Sequence, residues 1–101
     1  MRMKFAQEAH LEFTAVTRRY AREAGTKLAR AFSTDLHNVT TLIATHPDMG
    51  APTVSGCRYF VMDRFPYSIV YRHTEDTVTI IAIAHHSRRP GYWESRTLLI
   101  S

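Results

Sequence analysis

A change in the period of the hydrophobic pattern divides this chain of 101 residues and limits the folds it can adopt. Before segment 47–52, which reads Pro-Asp-Met-Gly-Ala-Pro, apolar residues recur every three or four positions, as on one face of a helix. After that segment they alternate or run continuously, as in strands. Because ~100 residues is the size of one domain, the two patterns predict a single α+β domain rather than two separate units.

Two amphipathic helices are predicted in residues 6–46, before Pro47. Each half of this range places its apolar residues on one helical face. Gly25 is predicted to end the first helix, and Thr26 to cap the start of the second. Since the break is short, we expect an antiparallel helical hairpin.

Strands are predicted on both sides of the hairpin, a short one at 1–5 and a three-stranded meander at 57–85. The range 77–84 is β-branched and apolar at successive positions, which is typical of a central strand buried on both faces. The chain therefore reads β-α-α-β-β-β over 1–101. The hairpin is expected to cover one face of a small, antiparallel-rich sheet, and 86–101 forms a C-terminal tail.

Arginine dominates the charge of the chain. The formal net charge is +4, and 11 of the 13 basic residues are arginine. The excess is spread over both halves, so it permits contact with nucleic acid or an acidic partner without requiring either. No apolar run approaches the ~20 residues of a membrane helix. Without a visible signal peptide, and with Cys57 as the one cysteine, the sequence predicts a cytoplasmic protein.

The densest polar cluster follows the last predicted strand, at 85–93, and reads His-His-Ser-Arg-Arg-Pro-Gly-Tyr-Trp. It combines an acid–base group, two guanidinium groups and two aromatic rings. Such a set suits the binding of RNA phosphates and the attack of an RNA 2′-hydroxyl on its neighbouring phosphate. The competing interpretation is a basic strand exit whose aromatic side chains close the core.

Further arginines lie in the meander. Arg58, Arg64 and Arg72 belong to neighbouring strands or their turns, so we expect them to lie near one another, where an acidic partner would dock. Cys57 is interpreted as a small buried hydrophobe, and Glu12 as a helix-surface residue. No metal-ligand spacing is visible, and neither a metal site nor a cofactor is predicted.

Two stretches resemble the RelE/ParE superfamily of bacterial toxin–antitoxin toxins. One is Arg-Phe-Pro-Tyr-Ser-Ile-Val-Tyr-Arg at 64–72, and the other is the end of the last strand with the tail, at 82–93. The resemblance covers 3–93 and includes the hairpin closed by His46 and Pro47. It implies the β-α-α-β-β-β fold and a toxin of the plasmid-stabilisation type that arrests bacterial growth.

The resemblance implies two alternative mechanisms. RelE-like members are ribosome-dependent mRNA endonucleases, and ParE-like members inhibit DNA gyrase without being nucleases. The family's nuclease arginine on the second strand of the meander is replaced here by Ser68, which removes a phosphate-binding charge. We therefore expect the ParE-like mechanism. If the chain is a nuclease, the implied catalytic residues are Arg58, His85, Arg88, Arg89 and Tyr92.

The resemblance also implies two binding surfaces and a partner. The partner is a small antitoxin with an acidic C-terminal segment and a ribbon-helix-helix DNA-binding N-terminus, and the two proteins form a hetero-oligomer. The residues expected to face the antitoxin are Phe13, Arg18, Arg19, Tyr20 and Arg22. Those expected to face the target are Arg58, Arg64, Arg72, His85, Arg88, Arg89, Tyr92 and Trp93. A degenerate module that only binds antitoxin is the third hypothesis.

Overall fold

A computed structural model describes residues 1–99, in which a helical hairpin packs on one five-stranded sheet. The elements in chain order are β1 (Arg2–Phe5), α1 (Gln7–Ala24), α2 (Thr26–Thr45), β2 (Ala51–Pro52), β3 (Arg58–Val61), β4 (Tyr67–His73) and β5 (Thr77–His85). Short 3-10 segments follow at Val54–Gly56 and Glu94–Leu99. The predicted α+β class and the order of the helices and main strands are confirmed.

The strands lie in the order β1-β5-β4-β3-β2. β1 runs parallel to β5, and the other neighbours are antiparallel. β5 is therefore an inner strand, which explains its apolar character on both faces. The two-residue strand β2 was not predicted. It contains Pro52 and lies at the edge of the sheet, where a proline removes no inner-ladder hydrogen bond.

The hairpin turns at Gly25, whose φ of 95° lies in the left-handed region that glycine adopts without steric cost. The prediction that Thr26 caps the second helix is wrong. Thr26 is the first residue of α2, Gly25 occupies the cap position, and no side chain makes a capping hydrogen bond there. Neither helix in the described range 1–99 is apolar enough over sufficient length to cross a membrane.

The main core lies between the hairpin and the sheet and is built around aromatic rings. Phe32 of α2 is fully buried and makes edge contacts with Phe65 and Tyr67, at ring-centroid distances of 5.2 and 5.5 Å. Tyr20 of α1 packs against the same two phenylalanines, at 5.6 and 5.5 Å. Edge-on geometry adds about 0.5–1.5 kcal/mol per aromatic pair beyond the burial of apolar area. This cluster fixes the hairpin on the sheet.

A second core covers the opposite face of the sheet. Cys57, Val70, Ile81 and Ala82 are buried there beneath Trp93, whose side chain is 5% exposed. Burial raises the pKa of the Cys57 thiol, which agrees with its interpretation as a buried hydrophobe. The C-terminal tail thus folds back under the sheet and closes this core with its tryptophan.

Glu12 holds the tail to the rest of the domain. Its carboxylate accepts hydrogen bonds from the Ile83 N–H (3.0 Å), the Tyr92 hydroxyl (2.6 Å) and both terminal nitrogens of Arg96 (2.9 and 3.0 Å). The side chain is 17% exposed, so its interpretation as a helix-surface residue is wrong. One carboxylate therefore joins α1, β5 and the tail.

The same contacts set the acidity of Glu12. Burial by itself raises the pKa of this carboxyl group. The hydrogen bonds from Arg96, Tyr92 and the Ile83 N–H together outweigh burial, and the pKa of Glu12 lies below its ordinary value of 4.5. Glu12 is therefore ionised at neutral pH and matches the charge of Arg96.

We expect Glu12→Gln to lower the free energy of unfolding by about 2–4 kcal/mol, because Arg96 would keep a largely buried charge without its counter-ion. Urea unfolding at neutral pH measures this loss. Glu23→Gln, at an exposed position of the same helix, is the matched control and should change stability by less than about 0.5 kcal/mol. Equal losses in both variants would show that the network does not stabilise the fold.

The lowered pKa of Glu12 also predicts acid sensitivity. A carboxyl group with a depressed pKa in the folded state stabilises the protein above its unfolded pKa, and this stability is lost as pH falls through the folded value. The free energy of unfolding of the wild type should therefore fall more steeply below about pH 4.5 than that of Glu12→Gln. The pKa of Asp35 is also lowered, by its hydrogen bonds from Arg64, and this group is present in both proteins. Its titration therefore contributes the same pH dependence to the free energy of unfolding of each. Parallel profiles from urea unfolding across this pH range would contradict the prediction.

Candidate functional site

The candidate site surrounds the point where β5 ends at His85 and the chain continues as the exit segment, residues 86–93. Because β5 lies inside the sheet, the exit segment leaves from the middle of one sheet end and passes from one face to the other. The backbone is anchored there by a hydrogen bond from the His86 N–H to the Pro66 carbonyl, 2.9 Å long. A groove lies on each side of this segment.

The first groove, called here the sheet-side groove, lies on the face that Trp93 covers and encloses about 270 Å³. In its wall the Ser68 Oγ lies 3.1 Å from Nε2 of His86. Its polar and aromatic lining comes from Thr53, Tyr59, Ser68, His85, His86, Arg88, Arg89, Tyr92 and Trp93. The groove therefore offers a hydroxyl–imidazole pair beside two guanidinium groups, which is suitable for binding a phosphate.

The sequence analysis missed the partnership of Ser68 and His86. The signal that reveals it is the strand register, since Ser68 pairs with Ala84 and so lies beside the residues that follow β5. Register depends on turn geometry and on the β-bulge at Ile81, where Val70 faces Ala82 and Tyr71 faces Ile80. Neither can be deduced from hydrophobic alternation alone.

Four of the five implied nuclease residues, His85, Arg88, Arg89 and Tyr92, line the sheet-side groove, and Arg58 does not. The Tyr92 hydroxyl, however, donates to Glu12 and is only partly exposed. Burial, and then the neighbouring Glu12, raise the pKa of Tyr92 far above its ordinary value, which makes it a weak proton donor. Arg58 is held elsewhere, where its guanidinium donates to the Gly50 carbonyl at 2.8 Å.

The expectation that Arg58, Arg64 and Arg72 lie together is wrong, because each is held by different partners. Arg64 makes two hydrogen bonds of 3.0 and 2.9 Å to Asp35 on α2. Arg72 donates to the carbonyl of Ser55 at 2.6 Å. Alternation explains the separation, since Arg58 shares the helix-facing side of the sheet with its partner Tyr71, whereas Arg72 lies on the other side.

The second groove, called here the helix-side groove, lies between α1 and the exit segment and encloses about 440 Å³. Its floor is apolar, and its charged residues are three arginines and Glu12. The residues that line it are Glu12, Ala15, Val16, Arg19, Arg22, Tyr67, Ile83, His85, Ser87 and Arg88. The α1 members recur every three or four positions, as the successive turns of one helix face require.

Several side chains of the helix-side groove are fixed by neighbours. Arg19 donates to the Tyr67 hydroxyl, and the Arg88 guanidinium lies 3.8 Å from the ring centroid of Tyr92. His85 packs edge-on against Tyr67 at 5.0 Å. Its Nδ1 accepts a 3.0 Å hydrogen bond from the Ser87 N–H, so Nδ1 carries no proton and the neutral ring is protonated at Nε2.

The residues expected to face an antitoxin divide into two groups. Phe13 and Tyr20 are partly buried and pack on the main core, whereas the three arginines are at least partly exposed. Arg19 and Arg22 line the helix-side groove, and Arg18 does not. The structure thus places two arginines of the predicted antitoxin set beside His85 and Arg88 of the predicted target set.

Comparisons with known proteins bear on this arrangement. No curated protein matches the sequence. The fold is similar to a solved structure described as the chromosomal ParDE TA system from P. aeruginosa, with a TM-score of 0.74 and 22% identity over 84% of this chain and 95% of that one. It is also similar to the isolated E. coli RelE toxin, with a TM-score of 0.55 and 15% identity over 98% of each chain. At these identities the two likenesses establish the fold alone.

The sequence match goes further than the structural likeness. The family described as the ParE toxin of the type II toxin–antitoxin system parDE matches residues 3–90, which include both helices, every strand apart from the first residue of β1, and the first part of the exit segment. The chain therefore belongs to the ParE toxin family of type II toxin–antitoxin systems.

Proposed function

We propose that this ParE-family toxin arrests bacterial growth in the cytoplasm by inhibiting DNA gyrase, and that a cognate antitoxin neutralises it. The observation that carries the proposal is that the implied nuclease set is incomplete in the groove where four of its members meet. Ser68 stands where the nuclease arginine is expected, Arg58 is held at Gly50, and the Tyr92 hydroxyl is engaged by Glu12. A protein that binds its target without cleaving it does not need these groups to converge.

The exit segment supplies a surface for such binding. His86, Arg88 and Arg89 are exposed and follow one another along the chain, and Trp93 and Tyr92 anchor the segment from below. Exposed guanidinium groups on an anchored backbone suit a protein target, since little side-chain and backbone freedom is lost on binding. Trp93, which the resemblance placed among the target-facing residues, then serves as the anchor because its side chain is buried.

A RelE-like mRNA endonuclease is the second candidate. The pair formed by Ser68 and His86, next to Arg88 and Arg89, favours it, because an imidazole beside two phosphate-binding groups is suited to acid–base chemistry on RNA. In that case His86 rather than Tyr92 would move the proton.

Growth and enzyme assays separate the two candidates. Induced expression should arrest growth with SOS induction, and the purified toxin should block supercoiling by gyrase at micromolar concentration. The double variant with Arg88→Ala and Arg89→Ala should weaken inhibition about tenfold or more, because exposed arginines at the centre of an interface contribute strongly to binding. Arg30→Ala, an exposed arginine on α2, should leave inhibition unchanged.

The opposite results are equally specific. Rapid loss of translation with codon-phased mRNA cuts, relieved by His86→Ala, would support the nuclease and overturn the gyrase proposal. Expression without any arrest in the absence of antitoxin would indicate a module that retains only partner binding.

A further inference from the structure

We propose that the helix-side groove is a binding site for a linear oligophosphate, such as the triphosphate of a nucleotide or a short inorganic polyphosphate. The groups that hold it are the guanidinium groups of Arg19, Arg22 and Arg88 and the Nε2–H group of His85. The site itself does not depend on the proposed function, and only its effect on the inhibition of gyrase does.

The groove carries more positive charge than the protein itself neutralises. Among residues 1–99, no carboxylate lies within ion-pair distance of the guanidinium groups of Arg19, Arg22 or Arg88. Glu12 also lines the groove, but it is paired with Arg96 at 2.9 Å. Like charges around one groove repel each other, and a bound polyanion would replace this repulsion by attraction.

The accessible part of the lining is polar. Among the apolar side chains of the groove, Val16, Tyr67 and Ile83 are only 8%, 2% and 2% exposed, and the methyl group of Ala15 is the exposed one. A ligand would therefore meet little apolar surface. The groups that stay in contact with solvent are basic or imidazole side chains, namely Arg19, Arg22, His85 and Arg88.

His85 adds an oriented donor beside the arginines. Ser87 donates its backbone N–H and its hydroxyl to Nδ1 of His85, over 3.0 and 2.8 Å. Because Nδ1 accepts these bonds, the proton of the neutral ring lies on Nε2. No acceptor among residues 1–99 takes this Nε2–H, and the edge-on contact with Tyr67 holds the ring in place. The Nε2–H is therefore available to an anionic oxygen.

Two of the arginines are ordered before any ligand binds. Arg19 donates to the Tyr67 hydroxyl, and the Arg88 guanidinium lies 3.8 Å from the ring centroid of Tyr92. Each contact restrains the side chain while other guanidinium N–H groups stay available. A site whose side chains are already ordered loses less entropy when it binds an anion.

The amount of charge indicates the class of ligand. A terminal phosphate carries about 1.5–2 negative charges, which is too few to match three guanidinium groups, and further linked phosphates supply the rest. Guanidinium groups bind phosphate oxygens through paired, charge-assisted hydrogen bonds. The volume of about 440 Å³ lies within the range of small-molecule sites, about 300–1,000 Å³.

The arrangement of the arginines favours a compact polyanion over a nucleic-acid backbone. Nucleic acid distributes its charge, with one phosphate about every 3.4 Å of axis per strand, and basic grooves that bind single strands follow this backbone. Here the charge is concentrated, because Arg19 and Arg22 lie on successive turns of α1 and Arg88 faces them from the exit segment. A short run of linked phosphates fits between them.

Binding in this groove would affect inhibition under the proposed function. Arg88 belongs to the exit segment that we propose as the target-binding surface. An oligophosphate that occupies Arg88 would therefore compete with gyrase for the same guanidinium group. The toxin would then respond to the concentration of a phosphorylated metabolite or polymer.

Isothermal titration calorimetry of the full chain with inorganic tripolyphosphate, at constant ionic strength and without divalent metal ions, tests the site. Inorganic monophosphate is the control probe and should bind at least about tenfold more weakly. Arg22→Gln and Arg88→Gln should each weaken binding of tripolyphosphate by about fivefold or more. Arg18→Gln removes the same charge from the same helix but outside the groove, and should change binding by less than about twofold.

Control measurements keep the test independent of folding. Arg22 makes no side-chain hydrogen bond, ion pair or ring contact within the described range 1–99, so Arg22→Gln should retain the wild-type circular dichroism and melting curve. In the wild type, the Nε–Hε NMR signals of Arg19, Arg22 and Arg88 should shift on addition of tripolyphosphate. Unchanged signals, equal affinity for monophosphate, or an equal loss in Arg18→Gln would each overturn the inference. Tighter binding of a single-stranded oligonucleotide of equal charge at the same signals would also overturn it.

The two sources of the ligand are distinguished by a further titration. ATP without metal ions and tripolyphosphate both present three linked phosphates, so the nucleoside is the main difference between them. Tighter binding of ATP would support the site and assign it to a nucleotide. Equal or weaker binding of ATP would support the site and assign it to inorganic polyphosphate.

The outcome is separable from that of the gyrase proposal. In direct binding of toxin to gyrase, again without divalent ions, tripolyphosphate should weaken the wild-type complex more than that of Arg22→Gln. A toxin that binds tripolyphosphate at these arginines but neither arrests growth nor inhibits gyrase would refute the proposed target and leave the site standing. A toxin that inhibits gyrase but shows no saturable binding of tripolyphosphate would refute the site alone.

Discussion

The carboxylate of Glu12 is the interaction on which the functional surface depends. The exit segment and the tail follow the last strand and have no further strand to pair with among the described residues. Their position is set by two anchors, the buried side chain of Trp93 and the hydrogen bonds that Glu12 accepts from Tyr92 and Arg96. Because Glu12 also accepts the Ile83 N–H, the anchor connects α1, β5 and the tail in one network.

The shape of both grooves depends on this network. Tyr92, held by Glu12, provides the ring on which Arg88 stacks, and Arg88 lines both grooves. A displaced tail would move Arg88 and would uncover the second core at Trp93. A buried acid–arginine pair adds little net stability compared with apolar packing, but it costs much when one member is lost. Its contribution here is positional, since it fixes where the basic exit segment lies relative to α1.

Much of the architecture could be predicted because it follows from periodicity. The helical hairpin, the meander and the central position of β5 each reflect a pattern of apolar residues that extends over many positions. The predictions that were missed or wrong concern short stretches of the chain. The edge strand β2 has two residues, too few to show a hydrophobic pattern, and Gly25 rather than Thr26 caps α2. The prediction that Arg58, Arg64 and Arg72 cluster is wrong because strand alternation and turn contacts direct neighbouring arginines to different faces.

The candidate site shows where sequence alone reaches its limit. The sequence by itself determined the α+β class and the basic aromatic segment after the last strand, because each is a matter of residue type and spacing along the chain. The interpretation of Ser68 as replacing a phosphate-binding arginine depended on the family resemblance. Only the tertiary structure decided that Glu12 is largely buried beneath the tail, that Ser68 meets His86, and that Arg19 and Arg22 face Arg88. The hydrogen bonds among them join residues 18 to 84 positions apart. Strand register and the packing angle of α1 set all three arrangements, rather than any local preference of the chain.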